Sequence, residues 1–280
     1  RPFTQAWVAR TSSRHPVGFL VTWVVADELT NDLDRHLLDT VLGWIESDWP
    51  FDEVILPTHT DNTRGMMIAK EILKAFKEAV GGDNVFSDPA DLHTYSYDAA
   101  VVDPVLPGLA LRPTNAEALS RVVRLCNENR LPLTVRGAGT NLSGGTVPST
   151  SGVVVLTNAL NQILEINEAD MYAVVQPGVI TAKLAAAVEA RGLFYPPDPG
   201  SQKISTLGGN IAENAGGLRG LKYGVTRDYI MALKGYLVDG SPFETGGKAV
   251  KDVAGYSVRD LLVGSEGTLA LITEATVSLI

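Results

Sequence analysis

The chain has 280 residues and a mass of 29.8 kDa, enough for one large domain or two smaller ones. Its formal net charge of −9 argues against a general nucleic-acid-binding protein, and its single cysteine, Cys126, excludes an internal disulfide and a cysteine-rich metal site. This cysteine usage carries no sign of an oxidising compartment, so we expect a cytoplasmic protein. The longest apolar run near the start, residues 17–26, is too short to span a bilayer, and we expect no transmembrane segment.

Residues 1–65 differ from the rest of the chain because they contain all four tryptophans. Their pattern predicts strands at residues 17–25 and 51–56 and a helix at residues 31–45, but no function can be assigned to them. Two consecutive methionines, Met66 and Met67, are a candidate start of the functional polypeptide. Two interpretations stay open: the functional polypeptide starts there, or residues 1–65 are an ordinary N-terminal extension of unknown role.

Residues 66–107 are predicted to form a helix and a connector. Apolar residues recur at helical spacing up to Val80, and Gly81-Gly82 ends the helix. The loop-rich connector, residues 83–107, contains four residues that are either polar site residues or parts of an aromatic packing segment: His93, Tyr95, Tyr97 and Asp98. Packing is the interpretation that we favour.

A second helix is predicted after Thr114, which we expect to be its N-cap in a capping box with Glu117. Its apolar face includes Cys126, which we therefore interpret as a packing residue. The helix leads to a short strand at residues 133–135, so this spacing predicts a small parallel α/β unit. A glycine-rich loop, residues 136–145, follows the strand; it is either a hairpin or a loop whose backbone N–H groups bind an anion.

The remainder of the chain alternates strands with two more glycine-rich elements. Strands are predicted at residues 152–157, 163–166, 171–176, 230–238 and 269–280, a helix at 181–191, and a rigid proline-rich loop at 195–201. In the second glycine-rich element, residues 206–217, Asn210 and Asn214 are four apart and are expected to share one face of a helical turn. The third element is residues 264–268. Gly246-Gly247-Lys248 lacks the spacing of a P-loop, which argues against a P-loop nucleotidase.

The ordered set of these elements resembles the FAD-binding (PCMH-type) domain of the vanillyl-alcohol oxidase type flavoproteins. Within them it is most similar to the FAD subunit of glycolate oxidase and to FAD-linked D-lactate and D-2-hydroxyacid dehydrogenases. The motifs that carry the resemblance are RGAGTNLSGG (136–145), QPG (176–178), PPDPGS (196–201), TLGGNIAENAGG (206–217), KYG (222–224), GGKAVKDVAGY (246–256) and GSEGTLALITEA (264–275). The resemblance covers residues 68–280 and not residues 1–65.

The resemblance implies an α+β fold in which two subdomains, a small parallel α/β unit and a mainly antiparallel sheet with helices, clasp an extended FAD. We expect this domain at residues 108–280. In the first glycine loop the implied cofactor contacts are Arg136, Gly137, Ala138, Gly139, Thr140, Asn141, Ser143 and Gly144. Elsewhere they are Pro177, Gly178, Asp198, Ser201, Gly208, Gly209, Asn210, Asn214, Ala215, Gly216 and, through its backbone, Ile272.

Two departures from the family pattern matter. Members that bind FAD covalently usually carry histidine in the first glycine loop, whereas this loop has Thr140 and Asn141, so we expect non-covalent FAD. Family members also continue into a cap or substrate domain that supplies most substrate-binding residues. That region is not recognisable here, so we expect a fragment, name no catalytic residue and predict no metal site.

The resemblance implies oxidation of a small 2-hydroxy acid by hydride transfer to flavin N5, with electrons passed to an acceptor or to a partner subunit such as an iron–sulfur protein. Two alternatives stay open. The chain is a non-catalytic FAD-binding or assembly module that needs a partner chain, or it is a flavoprotein similar to the UDP-sugar enolpyruvyl reductases.

Overall fold

A computed structural model describes residues 70–280 of the chain. The strands and helix expected in residues 1–65, and the possible start at Met66-Met67, lie outside the described residues. The helices are α1 (Lys70–Val80), α2 (Pro89–His93), α3 (Ala116–Glu128), α4 (Thr181–Glu189), α5 (Leu207–Ala212), α6 (Gly220–Tyr223) and α7 (Val258–Leu262). The strands are β1 (Val85–Phe86), β2 (Leu109–Leu111), β3 (Leu133–Arg136), β4 (Val153–Leu156), β5 (Ile163–Asn167), β6 (Tyr172–Val175), β7 (Ile230–Leu237), β8 (Pro242–Gly246) and β9 (Ala270–Ser278).

The first sheet has the strand order β1-β2-β4-β3. Strands β2 and β3 both run parallel to β4, whereas the short β1 pairs with β2 in the antiparallel sense. Every residue of β4 is buried, as expected for a parallel strand covered on both faces. Helix α3 connects β2 to β3 and buries Leu119, Val122 and Cys126. The predicted parallel α/β unit is therefore confirmed, as is the packing role of Cys126, whose thiol pKa is raised by burial to about 12.

The second sheet is antiparallel throughout, with the strand order β5-β6-β9-β7-β8. Its core contains Val175, Leu233 and Val277 from the strands together with Leu184 from α4 and Leu207 from α5. The hairpin between β7 and β8 turns at Gly240, which has a φ of +80°, as the Asp-Gly pair predicts. Together the two sheets and their helices form an α+β fold.

A charged cluster connects strands at the two opposite edges of the second sheet. Lys248, just after β8, places its Nζ 2.7 Å from an Oε2 of Glu165 on β5. The Tyr172 hydroxyl donates to the other oxygen of Glu165 at 2.5 Å, and Lys248 Nζ lies 4.7 Å from the centre of the Tyr172 ring. The hydrogen bond from Lys248 lowers the pKa of the Glu165 carboxyl. The segment after β8 therefore reaches across the end of the sheet.

Helix α3 begins one residue later than the sequence pattern predicted. The N-cap is Asn115, whose side chain accepts a hydrogen bond from the N–H of Ala118 at 2.8 Å. The predicted N-cap Thr114 and its capping box with Glu117 are therefore wrong. Both residue types favour N-caps, and Asn115 places its oxygen opposite the N3 amide, which is the geometry that an N-cap requires.

The connector between α1 and α3 is more regular than predicted. Strand β1 pairs with β2, and Asp88 caps α2 by accepting from the N–H of Ala90 at 2.8 Å, with Pro89 at the first helical position. Tyr95 packs against Phe86 with ring centres 6.0 Å apart. Within residues 70–280, no helix combines the length and apolar character needed to cross a bilayer.

We predict that Tyr195→Phe leaves the free energy of unfolding unchanged or raises it by up to ~2 kcal/mol. Tyr195 is 1% exposed, and its hydroxyl has no hydrogen-bond partner among the described residues. The matched control is Tyr229→Phe, because the Tyr229 hydroxyl donates to the Tyr223 carbonyl at 2.7 Å and its loss costs about 1 kcal/mol. Chemical denaturation measures the free energy of unfolding of both variants. A Tyr195→Phe variant as unstable as Tyr229→Phe would contradict the prediction.

Candidate functional site

Three glycine-rich elements meet around one cavity of about 240 Å³. The first glycine loop, which follows β3, contributes residues 137–142 to its wall. The second glycine element contributes Thr206, Gly208, Gly209 and Glu213 from in and around α5. The third contributes residues 265–267, and Ile272 of β9 completes the wall. Segments far apart in the chain therefore form a single site.

Glycine is required in the first loop because the chain approaches its neighbours very closely there. A Cβ on Gly137 would collide with Oγ1 of Thr206, and a Cβ on Gly139 would collide with the guanidinium of Arg136. Gly139 also has a φ of +67°, which is strained for other residues. Arg136 is only 7% exposed and donates to the Tyr97 carbonyl at 2.6 Å, so it cannot readily move aside.

The backbone of the first glycine loop is a candidate anion site. Within residues 70–280, no group accepts a hydrogen bond from the N–H of residues 137–142. Buried or cavity-facing N–H groups are normally paired, and consecutive free ones form a concavity that suits an anion. The loop therefore offers a run of donors to a ligand, and this fits the phosphates of a dinucleotide without requiring a countercharge.

The second glycine element is held by a capped helix. Thr206 is the N-cap of α5 and accepts from the N–H of Gly209 at 3.3 Å. Asn210 is 3% exposed and donates to Thr181 Oγ1 at 2.7 Å. Asn214 lies beyond the end of α5 with a φ of +48°, and its side chain accepts from the N–H of Arg227 at 2.9 Å. The predicted shared face of Asn210 and Asn214 is wrong because α5 ends at Ala212.

The third glycine element is held in place by Arg227. Its guanidinium donates to the Val263 carbonyl at 2.7 Å and to the Asp260 carbonyl. The N–H of Glu266 donates to the Ala212 carbonyl at 2.9 Å, which joins this element to the end of α5. Glu266 has a φ of +53°, an uncommon conformation for glutamate.

Two carboxylates approach the cavity near Gly145. A Cβ on Gly145 would lie 2.6 Å from an Oε2 of Glu266 and 3.3 Å from an Oε1 of Glu213. Glu213 also accepts a hydrogen bond from the Ser143 hydroxyl at 3.0 Å, which bridges the first and second glycine elements. Burial raises the pKa of Glu213; the Ser143 bond lowers it, and the charges of Glu266 and Asp98 raise it further. The pKa of this carboxyl at the cavity wall therefore lies above the ordinary glutamate value.

Most of the site residues predicted from the sequence line this cavity. They are Gly137, Ala138, Gly139, Thr140, Asn141, Pro177, Ser201, Gly208, Gly209, Asn210, Ala215 and Ile272. Asn141 lines the cavity although its side chain is already used: its amide donates to Asp98 at 2.6 Å and its oxygen accepts from Thr146 at 3.1 Å.

The other predicted residues lie around the cavity and do not line it: Arg136, Ser143, Gly144, Gly178, Asp198, Asn214 and Gly216. Gly178 lines a neighbouring cavity of about 290 Å³, which shares Gly137, Ala138 and Thr206 with the first. Asp198 is 9% exposed, accepts from the N–H of Arg219 at 3.0 Å and forms an ion pair with the Arg219 side chain at 3.4 Å. It supports the loop before the second glycine element.

Sequence reasoning missed several lining residues. Thr146, Thr157, Thr206 and Glu213 belong to the wall, as do Ser265, Glu266 and Gly267 of the third glycine element. That element was visible as a glycine-rich loop, but no site residue was assigned within it. The sequence pattern favours a packing role for Asp98, whereas its carboxylate binds Asn141 of the first glycine loop and Thr146 just after it.

Comparisons with known proteins agree with this geometry. Residues 107–246 match the family described as "FAD binding domain". Glycolate oxidase subunit GlcD of Bacillus subtilis is 51% identical over 214 residues, which are 76% of this chain and 46% of that protein. D-lactate dehydrogenase of Anaerostipes hadrus is 38% identical over 76% of this chain and 45% of its own length.

Among solved structures, 4-ethylphenol oxidase from Gulosibacter chungangensis superimposes with a TM-score of 0.65 at 25% identity, covering 77% of this chain and 44% of that one. The overlap supports the α+β fold of a flavoprotein of the vanillyl-alcohol oxidase type. The chain spans less than half the length of the curated relatives described above.

We predict that Gly139→Ala lowers the melting temperature more than Gly192→Ala does. Both glycines have positive φ, +67° and +76°, so both substitutions incur backbone strain of about 1 kcal/mol. A Cβ at position 192 meets nothing within 4 Å, whereas one at position 139 collides with Arg136. Differential scanning calorimetry measures the difference. Equal losses would mean that the packing of Arg136 against the loop is unimportant.

We predict that Glu213→Gln raises the melting temperature at pH 7. Because the folded pKa of Glu213 is raised, its ionised form destabilises the fold above that pKa, and this effect vanishes as the pH falls toward the ordinary glutamate value of 4.5. The gain over the unsubstituted chain should therefore shrink on acidification. Glu189→Gln, at an exposed position on α4, is the control. A gain that is independent of pH would disprove the electrostatic explanation.

Proposed function

Because the chain belongs to the FAD binding domain family, we propose that it is the cofactor-binding part of an FAD-linked oxidoreductase that oxidises a small 2-hydroxy acid. The relatives described above support this substrate class, since their names specify glycolate and D-lactate. Both are small α-hydroxy carboxylates. The activity belongs to the protein as a whole, of which the described residues form the cofactor side.

The observation that carries the proposal is the free backbone of the first glycine loop at the cavity wall. The N–H groups of residues 137–142 have no acceptor within residues 70–280, and a diphosphate offers several acceptor oxygens with negative charge. Thr206 and Gly208 face the same cavity from α5. We assign the diphosphate to this region, with Pro177, Ser201, Ala215 and Ile272 bordering the remainder of the FAD.

When bound, FAD supplies a flavin ring that accepts a hydride equivalent from the substrate. The residues that line the cavity would hold and orient the cofactor. The Glu213 carboxyl, whose pKa is raised by burial, lies at the wall of the proposed cofactor cavity. No catalytic base is assigned among the described residues.

We propose that FAD is bound without a covalent bond. The first glycine loop has no histidine between residues 136 and 145. The side chains of Asn141 and Ser143 in that loop are engaged by Asp98, Thr146 and Glu213. The FAD would then be retained in its site by shape complementarity and hydrogen bonds.

We further propose that the protein is cytoplasmic and that the reduced cofactor passes its electrons to a partner subunit or another acceptor. The name of the Bacillus subtilis relative, a subunit of glycolate oxidase, supports a partner of this kind. An iron–sulfur subunit would suit one-electron transfer from a reduced flavin.

The purified chain is expected to give a flavin absorption spectrum, either as isolated or after addition of FAD, and acid precipitation should release the colour into the supernatant. Colour retained in the pellet would contradict non-covalent binding. Gly139→Ala should take up less FAD than the control Gly192→Ala. No uptake by the folded chain would contradict the proposed cofactor site.

The substrate class is tested on a protein that spans the full length of the curated relatives, of which this chain covers less than half. Glycolate or D-lactate added in the absence of oxygen should bleach the flavin absorption band. L-lactate, the enantiomer of D-lactate, should bleach it more slowly. Bleaching by NADPH with no response to any hydroxy acid would favour a reductase of the UDP-sugar enolpyruvyl type over the proposed dehydrogenase.

A further inference from the structure

The connector between α2 and β2 contacts the first glycine loop through Asp98, a buried residue that is 8% exposed. One carboxylate oxygen of Asp98 accepts from the N–H of Ala100 at 2.8 Å. The other accepts from the side-chain amide of Asn141 at 2.6 Å and from the N–H and hydroxyl of Thr146, both at 3.3 Å. One carboxylate therefore binds the loop on both sides of Gly144.

The backbone of the connector binds the same loop. The N–H of Ala99 donates to the Asn141 carbonyl at 3.2 Å, and the Tyr97 carbonyl accepts from the Arg136 guanidinium at 2.6 Å. Burial lowers the pKa of Arg136, while the charge of Asp98 opposes that shift. The buried carboxylate and the buried guanidinium both contact the Thr146 hydroxyl, at 3.3 Å each, so their opposite charges lie close together beside the loop.

These contacts occupy the side chains of Arg136 and Asn141 and leave the backbone donors of the loop free. The amide of Asn141 is bound to Asp98, and its oxygen accepts from Thr146. The N–H groups of residues 137–142 remain without acceptors among the described residues. A glycine-rich loop has high conformational entropy, and ordering it during binding would weaken affinity. A loop that is already ordered avoids this loss.

We propose that Asp98 is a positioning residue for cofactor binding: it holds the first glycine loop in the conformation that keeps the N–H groups of residues 137–142 available to a diphosphate. The inference rests on the proposed function and deepens it. Asp98 acts through Asn141 and Thr146 and does not line the cavity. Its contribution is to the affinity for FAD.

The test compares Asp98→Ala with Asp103→Ala in the full chain. Asp103 is an exposed aspartate of the same connector and is the matched control. FAD affinity is measured by titration with flavin fluorescence, and the melting temperature is measured without FAD. We expect Asp98→Ala to bind FAD about tenfold to a hundredfold more weakly, because a buried charged hydrogen-bond network is lost, whereas Asp103→Ala keeps the affinity of the unsubstituted chain.

Two further variants separate positioning from simple loss of structure. Asp98→Asn retains an oxygen that can accept from Asn141, so it should recover a large part of the FAD affinity lost in Asp98→Ala. In an Asn141→Ala background the effect of Asp98→Ala on FAD affinity should become smaller, because one of the two residues through which Asp98 acts has lost its side chain. If Asp98→Ala does not fold, Asp98→Asn compared with Asp103→Asn provides the measurement, with a loss of affinity expected only in the former.

Each outcome of these measurements either supports or contradicts the positioning role of Asp98. If Asp98→Ala melts at a lower temperature but binds FAD as tightly as Asp103→Ala, Asp98 stabilises only the fold and the inference is wrong. Independent, additive effects of Asp98→Ala and Asn141→Ala on FAD affinity would also overturn it. If the unsubstituted chain and Asp103→Ala take up no FAD, the proposed function itself fails, a result distinguishable from the other two.

Discussion

The architecture of this protein depends on one constraint: a run of backbone N–H groups must stay unpaired at the wall of a cavity. Folded proteins normally pair such groups, so the surrounding chain has to prevent the loop from collapsing onto its own acceptors. Three supports do this. Arg136 packs beneath Gly139, Thr206 closes against Gly137, and Asp98 binds Asn141 from the side. The two sheets position these supports, since β3 leads into the loop and α5 faces it from the second sheet.

The acidic composition of the chain is compatible with such a site. A protein with a net charge of −9 is a poor general receptor for polyanions, yet fixed amide dipoles attract phosphate locally without adding positive charge. Within the site, burial raises the pKa of the Glu213 carboxyl, which lies beside a second carboxylate, Glu266.

Much of the fold could be predicted from the sequence because its signals are local. The apolar run of β4, the Asp-Gly turn after β7 and the glycine loop after β3 each depend on a few neighbouring residues. The N-cap of α3 could not be placed, because Thr114 and Asn115 have nearly equal preference and only the backbone angle at Asn115 decides between them. Asp98 could not be assigned for a different reason. Its partners Asn141 and Thr146 are more than forty residues away in the chain, and no local pattern reports a contact of that range.

The charged cluster of Lys248, Glu165 and Tyr172 has a consequence for behaviour at high concentration. Strands β5 and β8 are the two edges of the antiparallel sheet, and an edge strand exposes unpaired backbone groups that can pair with another copy of the chain. Lys248 and Glu165 place a pair of opposite charges beside the edge strand β5, and the segment after β8 crosses one end of the sheet to reach it. Charged groups and a crossing segment at a sheet edge disfavour pairing with another chain, although a surface ion pair of this kind contributes little to the stability of the fold.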